Sequence, residues 1–198
     1  MSREIPLFPL NTVLFPGGPL SLRIFEPRYL DMVSERLRLD EPFGVVLIRE
    51  GQEVGSAARF HEVGTLARIV DFDRLEDGLL GITCRGEGKF RVLAHHVRHD
   101  QLVLGEIEHL PEEPRLPIGL EHQRLRQLLW DILGRDEVEA YRRLLSEDWD
   151  SAAWLGYRLS ELLPMPLIAK QALLELEDPT QRLALLHVAL QPLGEQED

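Results

Sequence analysis

The residue types able to do chemistry are plentiful in this 198-residue chain, but their spacing organises few of them. His95, His96 and His99 with Asp100 form an H-H-x-x-H run, and zinc sites favour such ligands. On a strand His95 and His99 share a face while His96 points the other way, so a third ligand must come from elsewhere. The expectation is a solvated strand end and no metal site. His61, His109, His122 and His187 show no ligand spacing and read as hydrogen-bonded singles. Gly86-Glu87-Gly88-Lys89-Phe90 holds a Gly-Lys pair, yet a phosphate loop needs Gly, four residues, then Gly-Lys-Ser/Thr. Thr83 stands where the first glycine belongs and Phe90 where the magnesium-binding hydroxyl belongs, so nucleotide binding is not expected. Cys84 lies at least eleven positions from any histidine and reads as a small core residue. None of Ser2, Ser21, Ser34, Ser56, Ser146, Ser151 or Ser160 sits in a G-x-S-x-G elbow or an S-x-x-K arrangement. Carboxylate pairs such as Glu112-Glu113 read as solvated surface. No catalytic residue, cofactor or metal is assigned, and the chain is expected not to be an enzyme.

The elements that position these residues have two textures. Residues 1–110 are glycine-rich and strand-patterned, with one early helix. Short apolar runs at 5–8 and 13–15 are punctuated by Asn11-Thr12 and Pro16-Gly17-Gly18-Pro19, which predicts strand, turn, strand, turn. Leu20, Leu22 and Ile24 alternate with Ser21, Arg23 and Phe25 as a period-two strand. Pro27 is suited to a first helical position, and Tyr29, Leu30, Val33 and Leu37 continue at helical spacing, predicting a helix over 27–38. Further strands are predicted at 43–48, 63–70, 79–84, 90–97 and 102–107, with Asp77-Gly78 as a hairpin turn. Short strands at even spacing predict a small closed or partly closed barrel.

Leu110-Pro-Glu-Glu-Pro-Arg-Leu-Pro117 carries three prolines in eight residues, and 111–117 is read as a stiff, extended linker. Residues 118–198 are helical. Leu125, Leu128, Leu129, Ile132 and Leu133 form one stripe, and 136–146 a shorter amphipathic candidate. Ser151 caps a helix stopped by Pro164 and Pro166, and Pro166 begins the next. Asp178-Pro179-Thr180-Gln181 reads as N-cap, N1 proline and capping-box glutamine. Residues 194–198 read as a frayed acidic tail. Of the tryptophans, Trp130 and Trp154 are expected in the core and Trp149, between two aspartates, at the surface; together they offer an aromatic interface patch.

The formal net charge of −12 disfavours wholesale phosphate binding. Arg85, Lys89 and Arg91 are the one close basic run, interrupted by Glu87. A lone cysteine and the lack of a secretory leader pattern predict a cytoplasmic protein without a membrane span.

Three blocks give the chain a family likeness. The first is Pro6-Leu7-Phe8-Pro9-Leu10, Leu14-Phe15-Pro16-Gly17 and Ile24-Phe25-Glu26-Pro27-Arg28-Tyr29. The second is Gly64-Thr65-Leu66-Ala67-Arg68-Ile69, Asp77-Gly78, Gly86 and Phe90-Arg91-Val92; the third runs from Gln171 to Leu186, with Lys170-Gln171, Leu173-Leu174 and Arg182-Leu183. With these the chain resembles the Lon-type substrate-binding domain, the N-terminal module of the ATP-dependent protease Lon. The resemblance implies an α+β fold, a PUA-like pseudo-β-barrel followed by a mostly α-helical half. It implies a stand-alone, non-catalytic protein- or peptide-binding module, since the length leaves no room for the ATPase and Ser-Lys protease modules of full Lon. The implied partners are unfolded or extended polypeptides, or a protease or chaperone system. A partly open barrel has edges to which an extended peptide can add as a strand. The helix at 27–38 is expected to present Arg28, Tyr29, Met32, Glu35 and Arg36 as a mixed surface; Phe25, Arg28, Tyr29, Met32 and Arg36 are the candidate peptide-binding residues, with packing and capping as the alternative role of Arg28 and Tyr29. Two other readings stay open: a small-ligand module with an aromatic-lined pocket drawing on Phe8, Phe15 and Phe25, and RNA binding through the barrel. The leucine stripes of the helical half can bury against the barrel or against a second copy in a homodimer.

Overall fold

The computed structural model describes residues 3–55 and 58–190. The acidic tail expected at 194–198 lies outside them. The chain divides into two units, Met1–Pro111 and Glu112–Asp198.

The first unit is built on seven strands: β1 (Arg3–Leu10), β2 (Pro19–Ile24), β3 (Phe43–Glu50), β4 (Arg59–Phe60), β5 (Val63–Arg74), β6 (Leu80–Val97) and β7 (Val103–His109). Their order is β1-β7-β6-β5-β3-β4, and β1 also pairs with β3 in parallel, Leu7 opposite Gly44 and Leu10 opposite Leu47. That one parallel pairing closes β1, β7, β6, β5 and β3 into a ring, the expected pseudo-barrel. β2 adds to the N-terminal half of β6, Leu20 opposite Cys84 and Ile24 opposite Leu80.

Alternation along each strand divides the apolar side chains between two cores. Ile5, Leu7, Val46, Leu66, Phe90, Val92, Val103 and Ile107, from every strand of the ring, fill its interior. Phe8, Leu10, Phe43, Val45, Ala67, Ile82 and Cys84 face outward, where α1 (Pro27–Leu39), the one helix among the described residues of this unit, covers them with Tyr29, Met32 and Val33. Each such buried side chain contributes about 1.5–3 kcal/mol.

Three local features differ from the sequence pattern. Val13, Leu14 and Phe15 are buried but form a loop rather than a strand. Thr65 Oγ1 donates to the Leu14 carbonyl at 2.6 Å, and Gly17 N donates to the Gly86 carbonyl at 2.8 Å, so side chain and turn replace a ladder. The strands expected at 79–84 and 90–97 are one strand, β6, because the intervening Gly86 lets the Phe15 carbonyl pass where a Cβ would stand. The Asp77-Gly78 turn is wider than two residues: Leu75 N donates to Leu79 O at 2.9 Å, only Gly78 has a positive φ, and Asp77 accepts from Leu79 N.

In the second unit, α2 (Gln123–Leu133) buries Leu125, Leu129 and Leu133, while 136–146 gives only a 3-10 turn and α3 (Glu139–Arg142). Ser151 Oγ accepts from Trp154 N at 3.3 Å and caps α4 (Ala152–Leu162). After two prolines comes α5 (Leu167–Glu175), then α6 (Pro179–Leu190), whose first turn donates Thr180 N to Asp178 Oδ1 at 2.8 Å. Residues 112–117 are tied to these helices. Leu116 O accepts from Ala152 N at 2.8 Å, and Glu113 receives both Arg182 Nη1 and Nη2, at 2.7 and 2.5 Å. Glu113, read as solvated surface, is therefore a buried ion-pair partner with a side chain 4% exposed, because the fully buried Arg182 needs its charge. Among the described residues no helix is long and apolar enough to cross a membrane.

Candidate functional site

Of the five residues expected to present a binding surface on or beside α1, only Phe25 is exposed, at 52%. Arg28, Tyr29, Met32 and Arg36 are all buried, and Leu30 and Leu37 face outward instead. The apolar stripe alone misplaced the face, because two arginines are buried on it by specific partners. Arg28 pairs with Glu26 at 2.9 Å, donates to the Gln101 carbonyl at 2.8 Å, and lies over the Tyr29 ring at 4.7 Å. It thus ties the start of α1 to the β6–β7 turn, where Gln101 holds a positive φ. Arg36 donates to Glu41 at 2.8 Å, just past the helix end. Tyr29 stacks on Phe8 with centroids 3.7 Å apart, and burial pushes its phenol up to about 12. These side chains hold the barrel together.

The chemical candidates are equally accounted for. Cys84 is fully buried and its thiol is pushed up to about 12, so it supplies no thiolate at neutral pH. Lys89 lies buried within β6, which leaves Arg85 and Arg91 without a continuous basic stripe. His95 packs on Phe60 and His96 lies 3.6 Å from Glu4. Among the described residues no three metal-ligating side chains gather. Phe8 and Phe15 are buried in the core, while Phe25 is exposed.

What remains open is an edge. β2, the N-terminal half of β6 and the C-terminal half of β5 form a three-stranded sheet, in rows such as Leu22, Ile82, Phe72 and Ser21, Thr83, Asp71. β3 pairs with β5 only as far as Ala67, so this sheet has two outer edges, one on β5 and one on β2. The β5 edge is closed by its own side chains. Asp71 accepts from Phe72 N at 2.9 Å and Asp73 from Arg74 N at 2.7 Å, occupying the alternate N–H groups a new strand would need. β2 has no such caps among the described residues, and it hydrogen-bonds β6 alone. Beside it lies a 470 Å³ cleft lined by Leu22, Phe72, Leu75 and Ile82, with Arg23, Asp71 and Asp73 among its polar members. Phe72 is 59% exposed, and Phe25 directly follows β2. The strand pattern that was expected to end at residue 70 hid Phe72; the signal was the continuing alternation Val70, Phe72 against Asp71, Asp73.

The helical unit carries the tryptophans. Trp130 is 57% exposed, against the expectation of a core position, because it lies on α2 away from Leu125, Leu129 and Leu133. Trp149 and Trp154 are half-buried and packed edge to face at 4.9 Å.

Comparison with known proteins gives this geometry a family. The model of the ATP-dependent protease La (LON) substrate-binding domain matches residues 4–191. The crystal structure of a Lon N-terminal domain protein from Xanthomonas campestris superposes with a TM-score of 0.78 at 37% identity, covering 94% of this chain and 98% of that one. The N-terminal domain of Mycobacterium avium complex Lon protease shares the fold, with a TM-score of 0.67 at 18% identity over 98% of this chain and all of that one. Lon protease 2 of Myxococcus xanthus is 26% identical over 92% of this chain, which spans only 23% of that protein. The match runs through both units, the PUA-like barrel and the helices alike, and the chain belongs to the Lon substrate-binding domain family.

Proposed function

We propose that this chain recognises extended polypeptide, which adds as a strand to the open edge of β2 with alternate side chains packing over Leu22 towards the cleft that Leu22 shares with Phe72. The contrast between the two sheet edges carries this reading: β5 is capped by Asp71 and Asp73, while β2 is left uncapped beside an apolar cleft. Main-chain hydrogen bonds give such a site affinity for any unfolded segment, and the cleft gives preference for apolar residues at every second position. No bond is made or broken. The family's substrate-binding role in an ATP-dependent protease supports delivery of the bound chain to a protease system as its purpose.

Fluorescence anisotropy of a labelled unstructured polypeptide, titrated beside a folded control, tests the proposal. The unstructured chain is expected to bind preferentially in the micromolar range. Phe72→Ala is expected to weaken it about fivefold or more, as loss of an apolar anchor does. N-methylation along the peptide is expected to weaken binding with a period of two residues, because only alternate N–H groups face the protein. Absence of binding, or a methylation profile without that period, refutes strand addition.

A further inference from the structure

The C-terminal half of β6 carries a second open edge, separate from that of β2. The pairing of β5 with β6 ends at Val63 opposite Arg91, and the last bond on that side runs from Val92 N to Glu62 O at 2.8 Å. Residues 93–97 therefore have β7 on one side and no paired strand on the other among the described residues. The hairpin fixes which groups point outward. Arg98 N donates to Leu102 O at 2.9 Å, so Arg98, His96 and Ala94 turn their N–H and C=O groups towards β7. Those of His95 and Val97 turn the other way and meet no backbone partner among the described residues. No side chain guards them. The run Leu93-Ala94-His95-His96-Val97 holds no carboxylate, lysine, arginine or proline, and Leu93 and Val97 are 55% and 44% exposed.

Order and charge narrow what covers this edge. His95 and Val97 offer one N–H and one C=O each, too few to order a flexible chain, which loses backbone freedom at every residue it lays down. A strand already held in a hairpin loses little. The segment also complements itself. Set antiparallel about a twofold axis at His96, His95 of each copy lies opposite the partner's Val97, so every outward N–H and C=O of both residues is paired. Val97 then covers the partner's His95 and Phe60, whose rings pack with centroids 4.9 Å apart. Ala94 lies opposite the partner's Arg98, and the row behind Ala94 is Glu106, then Glu4. A row of two carboxylates thus ends on a guanidinium from the copy, and the symmetry repeats the contact. In a chain of net charge −12 this edge meets its copy without like charges opposed across it.

We propose that two copies of this chain join through this edge, antiparallel about His96, so that β1, β7 and β6 of each continue into one sheet across the twofold axis. β2 pairs with the other half of β6, from Leu80 to Arg85, and is not used. The dimer stands whether or not the β2 edge binds polypeptide.

Sedimentation equilibrium of the whole chain between about 1 and 300 µM is the test, and a reversible shift from the mass of one chain to that of two is expected. Val97→Lys, at an exposed position where a lysine guards the edge, is expected to raise the dissociation constant at least about tenfold. His96→Cys reads the register. Two residues facing each other in a non-hydrogen-bonded antiparallel pair stand within disulfide reach, and the native Cys84 is buried. Mild oxidation is expected to cross-link His96→Cys and to leave His109→Cys, at the exposed far end of β7, largely monomeric. A monomer throughout the range, a dimer that Val97→Lys leaves intact, or equal cross-linking of the two cysteine variants overturns the proposal. Circular dichroism of each variant separates loss of the surface from loss of fold, and the cross-linking result decides if Val97→Lys fails to fold.

Discussion

Replacing Glu113 by alanine should unfold the helical unit far more readily than any surface change. Arg182 has a side chain 0% exposed and Glu113 one 4% exposed, so their charges have almost no water to fall back on. Arg182 makes four hydrogen bonds: Nε to Leu173 O and Nη2 to Leu176 O, each at 2.9 Å, and two to the Glu113 carboxylate at 2.7 and 2.5 Å. The substitution removes two of these, the carboxylate paired with the guanidinium, and the acceptor of Tyr157 Oη at 2.5 Å. The guanidinium would keep only the face of the Tyr157 ring, 4.2 Å away, and two carbonyls. Breaking a buried pair from one side costs about 3–5 kcal/mol. With a urea slope of about 1.5–2 kcal/mol/M, the midpoint falls by roughly 1.5–3 M. All three tryptophans of the chain, Trp130, Trp149 and Trp154, lie in this unit, so tryptophan fluorescence during urea unfolding reports it directly. Glu113→Gln keeps an acceptor and should lose less, about 1.5–3 kcal/mol. Glu113→Leu combined with Arg182→Met should recover only part of the loss, since an apolar pair carries no desolvation cost but removes the donors to Leu173 O and Leu176 O and the acceptor of Tyr157. A Glu113→Ala loss below about 1 kcal/mol, the value of an exposed pair, would refute the account.

The three tyrosines, Tyr29, Tyr141 and Tyr157, are all pushed above their ordinary value of 10.0, chiefly by burial, Tyr29 to about 12 and the other two in the same direction. A raised phenol favours the folded state while protonated, so this stabilisation is complete below pH 10 and is lost as pH rises towards 12 and beyond; spectrophotometric titration should show no phenolate in the folded protein near pH 10, and one tyrosine titrating there natively contradicts the burial. Gly86→Ala drives a methyl into the backbone carbonyl of Phe15, which cannot rotate away, whereas Gly88 has open space where its Cβ would stand. The first should cost about 1–3 kcal/mol and the second little, measured as amide hydrogen exchange along β6; equal protection in the two variants would count against the close approach.

What the sequence made legible was local. Ser151 and Asp178 announce helix starts because a cap and its N–H partners lie within three residues. The apolar run of β1, the alternation in β2 and the Pro27 start of α1 are likewise written in neighbours. The readings that failed depend on distant partners. Glu113 looks solvated until Arg182, 69 residues on, is placed against it. Arg28 looks like a surface residue until Gln101, 73 residues away, supplies its acceptor. The continuity of β6 through Gly86-Glu87-Gly88 depends on the loop at Phe15, and no period in the strand itself records it. The candidate edge is of the same kind, since nothing in Pro19–Ile24 says which side of the strand is left unpaired.

The residues that carry the family likeness are spent on closure. Pro16-Gly17 makes the turn that meets Gly86, Thr65 holds the loop at Leu14, and Glu26, Arg28 and Tyr29 lock α1 against Phe8 and the β6–β7 turn. Motif and proposed binding surface are thus held by different side chains. Leu22 lies between Ser21 and Arg23 on the open strand, and Phe72 projects from a hairpin whose aspartates guard only its own edge. Phe72 can change without loosening the barrel, because it is 59% exposed and contributes little to the core. Loss of binding on changing Arg28 or Tyr29 would therefore report lost fold, and only exposed positions such as Phe72 and Phe25 can report recognition. This division lets the frame of a substrate-binding domain stay constant while its exposed positions are free to vary.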